Sequence, residues 1–154
     1  MRNLSLTIPP VVVLIVTALL MWGISLVSPG FFVEWQLRWS MAVAITLTGI
    51  LISLTGIVQF RKAKTTIHPM TPAETSTVVT IGIYSYTRNP MYLGMFLMLI
   101  GWGFYLMNPF SILFSFAFVG YMNRYQIIPE EQILESKFGE EYTQYKQSVA
   151  RWFV

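Results

Sequence analysis

Charged and hydrogen-bonding side chains are concentrated in three short stretches of this otherwise apolar chain of 154 residues. The stretches are residues 84–92, which include Arg88, then Arg124, and then the pair Glu130 and Glu131. Each stretch adjoins an apolar run, and an ionisable side chain near hydrocarbon costs free energy unless it is paired. Such groups in a membrane protein usually mark a functional site, so a functional role is the first hypothesis for these guanidinium and carboxylate groups.

Structural explanations also exist for the same residues. Arg88 could extend to lipid phosphates while the neighbouring tyrosines form an aromatic belt at the interface. Arg124 needs a partner, because about 14 helical residues, or roughly 21 Å, separate it from the start of its apolar run. Glu130 or Glu131 could return to it through the turn at Pro129, and the ion pair would hold the last helix to the bundle. Two adjacent carboxylates nevertheless exceed what one arginine requires.

Other motifs carry weaker signals. Gly101 and Gly103 flank Trp102 in an apolar run, where small residues usually serve close helix packing. His68 is the only histidine and the chain has no cysteine, so metal sites, catalytic triads and disulfides lack their parts. We therefore expect no metal. The net charge of +3 is small and scattered, and it gives no indication of nucleic-acid binding.

The elements that must position the polar stretches are predicted to be membrane helices. Hydrophobic residues make up 55% of the chain and charged residues 11%, against roughly 25% charged residues in a typical soluble domain. The pattern predicts an all-α, integral membrane bundle of about four transmembrane helices, forming a single domain over residues 1–154. The predicted spans are about 8–27, 40–60, 91–107 and 110–128. Residues 31–39 between the first two spans are expected to lie at the membrane interface.

Basic residues set the predicted topology. Arg61, Lys62 and Lys64 follow the second span, and the positive-inside rule places that end in the cytosol. Both termini are then cytosolic in what we expect to be the cell inner membrane. Residues 61–90 are predicted to be a cytosolic loop, and residues 130–149 an amphipathic cytosolic helix at the C-terminus.

The ordered motifs in the second half resemble the isoprenylcysteine carboxyl methyltransferase family and the related phospholipid N-methyltransferases. The similarity covers roughly residues 65–152, and the combination of motifs makes it specific. The residues that carry it are Thr87-Arg88-Asn89-Pro90-Met91-Tyr92-Leu93-Gly94, Pro129-Glu130-Glu131, Phe138-Gly139, Tyr142, Tyr145 and Arg151-Trp152.

This resemblance implies a methyltransferase that uses S-adenosyl-L-methionine and releases S-adenosyl-L-homocysteine. The implied pocket is formed by the last two spans and the C-terminal segment, and it opens to the cytosol and to lipid. The catalytic residues that we infer are Arg88, Asn89, Tyr92 and Arg124. The cofactor-binding residues that we infer are Tyr86, Arg88, Asn89, Pro90, Tyr92, Leu93, Gly94, Gly101, Gly103, Glu130 and Glu131.

The chemistry of the cofactor is consistent with these roles, because its ammonium and diol suit Glu130 and Glu131 and its carboxylate suits Arg88 or Arg124. Two features depart from the family pattern. Asn89 stands where the carboxyl methyltransferases commonly have histidine, and Arg124 lies further from the glutamates than in the best-known members.

Three functions follow as hypotheses. The first is methyl transfer to the carboxylate of a lipophilic, isoprenylcysteine-like acceptor, in contact with membrane lipids. The second is methylation of a phospholipid or another lipophilic amine. The third, from another class, is a non-catalytic membrane scaffold or small permease subunit that kept the fold without the reaction.

Overall fold

Helices make up the regular structure of residues 6–63 and 77–153, which are the residues that this computed structural model describes. This confirms the all-α prediction for the described part of the chain. His68 and residues 64–76 of the predicted loop lie outside it. The helices are α1 (Pro10–Val27), α2 (Trp35–Lys62), α3 (Pro90–Leu106), α4 (Pro109–Met122), α5 (Ile128–Phe138) and α6 (Glu140–Ser148), with a 3₁₀ turn at Gly82–Ser85 and a π-helical turn at Asn123–Ile127.

Proline stands in the first turn of four of these helices. The prolines of α1, α3 and α4 are the first helical residues, and Pro129 is the second residue of α5. Proline suits this position because the first backbone N–H groups of a helix have no partner within the helix. The starts of the helices are therefore encoded locally.

Helices α1 and α2 are each long and apolar enough to cross a membrane. Their most apolar 18-residue windows have mean hydropathies of 2.5 and 2.2, and only 17% of the residues in each window are buried by the rest of the protein. An apolar surface that faces outward is what a lipid environment accommodates. Helix α3 is also apolar and has 17 residues.

The observed helices differ from the predicted segments at two places. Helix α2 begins at Trp35, so the second half of the predicted interfacial segment 31–39 is helical and continuous with the second span. No glycine or proline separates Trp35 from that span, and nothing interrupts the helix there. The predicted C-terminal helix 130–149 is interrupted at Gly139, where φ is +55°, a conformation that favours glycine.

Small residues bring α2 and α3 into close antiparallel contact. A Cβ added at Gly49 would lie 2.5 Å from the carbonyl oxygen of Gly94, and one added at Gly101 would lie 3.1 Å from the backbone nitrogen of Thr46. Side chains at these glycines would therefore separate the two helices. The close contact fixes the start of α3 against the second half of α2.

Helix α1 packs against α3 and α4. The indole nitrogen of Trp102 donates to the carbonyl oxygen of Ala18 at 3.0 Å. Gly103 faces α4, because a Cβ added there would lie 2.6 Å from Ile112 and 3.3 Å from Met21 of α1. The Gly101-Trp102-Gly103 motif is thus in contact with three neighbouring helices.

A π-helical turn joins α4 to α5, and the backbone is helical at both ends of the turn, at Met122 and Ile128. Pro129 has no N–H, so the carbonyl oxygen of Tyr125 cannot receive the usual bond from the residue four positions later. The backbone N–H of Leu6 donates to that oxygen instead, at 2.9 Å. This bond holds the start of the described chain beside the α4–α5 junction.

Candidate active site

Three segments that are distant in sequence converge at one end of the bundle. Residues 87–89 precede α3, and residues 150–152 follow α6. The backbone N–H of Arg88 donates to the carbonyl oxygen of Ala150 at 3.0 Å, and the side-chain amide of Asn89 donates to that of Arg151 at 2.9 Å. The hydroxyl of Thr87 also approaches the Arg151 oxygen, at 3.4 Å. The C-terminal segment is thereby held beside the start of α3.

Glu131, in the first turn of α5, lies at the centre of this convergence. Its Oε1 is 2.9 Å from Nη1 of Arg88, and its two oxygens accept bonds from Nε and Nη2 of Arg151 at 3.0 and 2.7 Å. The side chains of Glu131 and Arg88 are 7% and 8% exposed, and that of Arg151 is 32% exposed. Hydrogen bonding to Glu131 raises the pKa of Arg151 further above its ordinary value. Glu131 is therefore the shared anion of a buried ionic cluster.

Glu130 has a different environment from its neighbour. Its Oε1 accepts hydrogen bonds from the hydroxyl of Tyr92 at 2.7 Å and from the amide of Gln126 at 2.6 Å. Burial raises the pKa of Glu130 from its ordinary 4.5 to about 7, although these two bonds act in the opposite direction. Both bonds reach Oε1, and within the described ranges no hydrogen bond reaches Oε2.

Two guanidinium groups, those of Arg88 and Arg151, pair with the single carboxylate of Glu131. One carboxylate does not balance two guanidinium groups, and the raised pKa of Glu130 reduces the negative charge that Glu130 adds at neutral pH. Nε of Arg88 is buried and has no hydrogen-bond partner among the described residues. A ligand carboxylate would satisfy such a donor, and the free oxygen of Glu130 suits an ammonium or hydroxyl group.

Three buried tyrosines form the layer beneath this cluster. The hydroxyl of Tyr145 donates to the carbonyl oxygen of Tyr84 at 2.7 Å, and the ring of Tyr142 lies 6.1 Å from that of Tyr145. Burial raises the pKa of all three hydroxyls, that of Tyr142 to about 12, so they remain neutral at physiological pH. The ring of Phe60 packs 5.0 Å from that of Tyr84 and joins the end of α2 to this layer.

Trp152 links the C-terminal segment to the π-helical turn. Its indole nitrogen donates to Oδ1 of Asn123 at 2.8 Å, and its ring lies 6.4 Å from that of Phe96. Arg151 and Trp152 belong to the motif quoted above but received no functional role from sequence reasoning. The sequence signal that could have identified them is an arginine and a tryptophan directly after an amphipathic helix.

Of the residues predicted for the site, the structure brings together Arg88, Asn89, Tyr92, Glu130 and Glu131. The structural alternative for Arg124, an ion pair with Glu130 or Glu131, is wrong for the described residues. Arg124 is exposed on the π-helical turn, and among the residues with described positions it forms no ion pair. The glutamates have nearer partners, and the turn directs Gln126, not Arg124, toward Glu130.

The remaining predicted residues lie at the margin of the cluster or away from it. Pro90 begins α3, Leu93 lies one turn further along it, and Tyr86 is 66% exposed before it. Gly101 and Gly103 lie in helix contacts, as the packing alternative predicts for them, and Gly94 lies in a helix contact as well. A cofactor-binding role for these residues and a catalytic role for Arg124 stay predictions.

Comparison with known proteins identifies relatives. The family model for phospholipid methyltransferase matches residues 37–141. An uncharacterized protein of Haemophilus influenzae is 47% identical over 62 residues, which are 40% of this chain and 98% of that protein. The protein-S-isoprenylcysteine O-methyltransferase of Dictyostelium discoideum is 41% identical over 73 residues. Protein-S-isoprenylcysteine O-methyltransferase B of Arabidopsis thaliana is 29% identical over 122 residues.

The matched regions differ in extent. The Dictyostelium match covers 47% of this chain and 30% of that enzyme, and the Arabidopsis match covers 79% and 61%. The chain thus spans 30% of the length of the first of these two methyltransferases and 61% of the second.

Proposed function

Because the chain belongs to the phospholipid methyltransferase family, we propose that it is a membrane-embedded methyltransferase that uses S-adenosyl-L-methionine. The acceptor under this proposal is the carboxylate of a lipophilic molecule. The names of the relatives support that acceptor, since several are protein-S-isoprenylcysteine O-methyltransferases. The observation that carries the proposal is the buried cluster in which Arg88 and Arg151 share Glu131, beside Glu130, whose two hydrogen bonds both reach Oε1.

The residues present fit the cofactor. When bound, S-adenosyl-L-methionine supplies an activated methyl group, and S-adenosyl-L-homocysteine is the product. Arg88, with its unpartnered Nε, would hold the cofactor carboxylate, and Glu130 would hold the ammonium or the ribose diol through its free oxygen. Asn89 supports the site indirectly, because its side-chain amide donates to the carbonyl oxygen of Arg151 and so positions that arginine.

The excess positive charge favours a carboxylate acceptor. Arg151 is the more exposed of the two guanidinium groups, and it would orient an acceptor carboxylate while Arg88 lies deeper. A carboxylate is ionised at neutral pH and is itself the nucleophile, so the protein need not remove a proton. The task of the chain is then to position the reactants and to exclude water, and effective molarity is the main source of rate.

Amine methylation is the second candidate, and Glu130 is the observation that favours it. An ammonium acceptor must lose a proton before it attacks, and a carboxyl group with a pKa near 7 can receive that proton. The description of the matched family, phospholipid methyltransferase, points the same way. Glu130 would then serve the acceptor instead of the cofactor.

The proposal includes a four-span topology. In it, α3 and the helix formed by α4 with the π-helical turn cross the membrane beside α1 and α2. Arg61 and Lys62 end α2 at the same end of the bundle as Arg88. Under the positive-inside rule this end faces the cytosol. Both chain termini then lie on the cytosolic side of the cell inner membrane. Because the chain has no cysteine, single cysteines introduced at Ser28 and Ser136 can be labelled cleanly. Membrane-impermeant thiol reagents should reach position 28 from outside and position 136 only from the cytosol.

The acceptor is tested by methyl transfer in lipid nanodiscs with labelled cofactor. The probe is an S-isoprenylated cysteine with a free carboxylate, and the matched control carries an amide in its place. We expect alkali-labile label in the first compound and none in the second. Alkali-stable label in an amine-headgroup phospholipid would support the second candidate, and no transfer by folded protein to any acceptor would support a non-catalytic scaffold.

A further inference from the structure

A groove of about 200 Å³ lies at the end of the bundle opposite the ionic cluster. It is formed where the start of α2 meets the end of α3, about 25 Å along α3 from Pro90 at 1.5 Å per residue. Its lining is aromatic and aliphatic apart from one charged side chain. The lining residues are Phe31, Phe32, Val33, Trp35, Arg38 and Met107.

Hydrogen bonds preform the walls of this groove. The backbone N–H of Phe31 donates to the carbonyl oxygen of Met107 at 2.9 Å, and a Cβ added at Gly30 would lie 2.8 Å from the same oxygen. The amide of Asn108, which is 1% exposed, donates to the carbonyl and hydroxyl oxygens of Ser28 at 3.2 and 2.9 Å. The loop between α1 and α2 is therefore fixed to the α3–α4 turn.

Arg38 is the charged side chain of the groove, and two aromatic rings lie beside its guanidinium group. Its guanidinium carbon lies 4.6 Å from the ring centre of Tyr105 and 5.8 Å from that of Trp35. Among the described residues it forms no ion pair, including with Glu34 four positions earlier. Its Nε is buried and has no hydrogen-bond partner in the described ranges. A buried donor without an acceptor is unfavourable, so this position calls for an anion.

We propose that this groove binds a membrane phospholipid through its phosphodiester, with Arg38 as the anion-binding residue. The surroundings indicate a lipid and not free phosphate. Phe32 is 98% exposed and Trp35 is 58% exposed, which gives glycerol and acyl-chain carbons an apolar surface beside the cation. Aromatic rings of this kind are enriched at the level of lipid headgroups. The site is separate from the ionic cluster and does not depend on the proposed methyl transfer.

The test is native mass spectrometry of the detergent-purified full chain, titrated with dimyristoyl phosphatidylglycerol. Dimyristoylglycerol, which lacks the phosphate, is the lipid control, and inorganic phosphate is the free-anion competitor. The variant is Arg38→Gln, and its matched control is Arg61→Gln, an exposed arginine at the other end of α2. We expect Arg38→Gln to weaken the first bound phospholipid about tenfold and Arg61→Gln to leave it unchanged.

Three outcomes would overturn the proposal. These are equal affinity of Arg38→Gln and the wild type, equal binding of the lipid without phosphate, and displacement of the phospholipid by millimolar inorganic phosphate. Circular dichroism establishes that each variant is folded. If Arg38→Gln does not fold, Arg38→Lys keeps the charge but loses the planar fork, and a several-fold weaker affinity is expected. Wild-type affinity in Arg38→Lys would then contradict the proposed role of the guanidinium.

Discussion

Arg151 holds Glu131 through two bonds, 3.0 Å from Nε and 2.7 Å from Nη2, across 20 residues of sequence. This bidentate contact joins the C-terminal segment to the first turn of α5, and Arg88 completes it from the start of α3. Removal of one member of a buried ionic cluster leaves the others uncompensated, so each member is expected to matter far more than an exposed pair. The cluster thus holds the C-terminal segment, α5 and the start of α3 together, and it is also the centre of the proposed cofactor site.

Arg151→Lys tests the bidentate contact. Lysine keeps the charge but cannot form two parallel bonds, so we expect cofactor affinity to fall about tenfold. Lys146→Gln is the matched control, because Lys146 forms a partly exposed pair with Glu135 at 3.0 Å outside the cluster. Calorimetry with S-adenosyl-L-homocysteine measures both variants. Unchanged cofactor affinity in Arg151→Lys would show that the bidentate guanidinium contact is not needed for cofactor binding.

The raised pKa of Glu130 predicts how the stability of the protein depends on pH. Its pKa is raised on folding, so between about pH 4.5 and 7 the folded state holds a proton that the unfolded state has lost. The contribution of Glu130 to stability is therefore largest at acidic pH and decreases as the pH rises toward 7. Thermal unfolding in detergent from pH 4.5 to 8 should show this decrease in the wild type.

The Glu130→Gln variant is the control for that profile, because its amide does not titrate. We expect the decrease between pH 4.5 and 7 to be smaller in Glu130→Gln than in the wild type. A profile identical in both proteins would mean that Glu130 titrates in its ordinary range. The same variant should bind the cofactor more weakly above pH 7, where the wild type is ionised.

Asn89 is expected to act through the C-terminal segment. Asn89→Ala removes the donor to the carbonyl oxygen of Arg151, and faster hydrogen exchange over residues 150–153 should follow, with lower cofactor affinity. Asn89→His restores a side-chain N–H donor and should recover part of both properties. Loss of affinity without any change in exchange would instead indicate that the Asn89 side chain contacts the ligand directly.

Gly101→Ala separates helix packing from cofactor binding. The added methyl group must displace α2 near Thr46, and overpacking of this kind typically costs about 1–3 kcal/mol. Gly120→Ala is the control, since a Cβ there meets no atom within 4 Å. We expect a lower unfolding temperature for Gly101→Ala only, with unchanged cofactor affinity in the folded fraction. A lower affinity at unchanged stability would support the predicted contact with the cofactor.

Local signals accounted for most of the fold that could be predicted from sequence. Proline at the first turns, long apolar runs and the Asn108-Pro109 break gave helices close to their observed bounds. The uninterrupted start of α2 and the break at Gly139 were missed. A glycine between two polar helical stretches is compatible with a continuous helix until packing selects a positive φ.

Most residues of the candidate site were predicted from the sequence, but the ion pairs between them were not. Arg88, Tyr92 and the two glutamates were identified, whereas Arg151, which pairs with Glu131, was given no role, and an ion pair with Glu130 or Glu131 was considered only for Arg124. Arg124 is seven residues from Glu131 in sequence, whereas Arg151 is 20 residues away. The choice depends on the π-helical turn and on the return of the chain after α6, which are tertiary features that no local pattern specifies.

Calorimetric titration of the purified protein with S-adenosyl-L-methionine and S-adenosyl-L-homocysteine, alongside Glu131→Gln, tests the central claim most directly. Glu135→Gln is the matched control, because Glu135 pairs with Lys146 outside the cluster. We predict binding of both ligands to the wild type, unchanged binding to Glu135→Gln, and affinity at least about tenfold lower in Glu131→Gln. Folded wild-type protein that binds neither ligand, or Glu131→Gln that binds them as well as the wild type, would contradict the account.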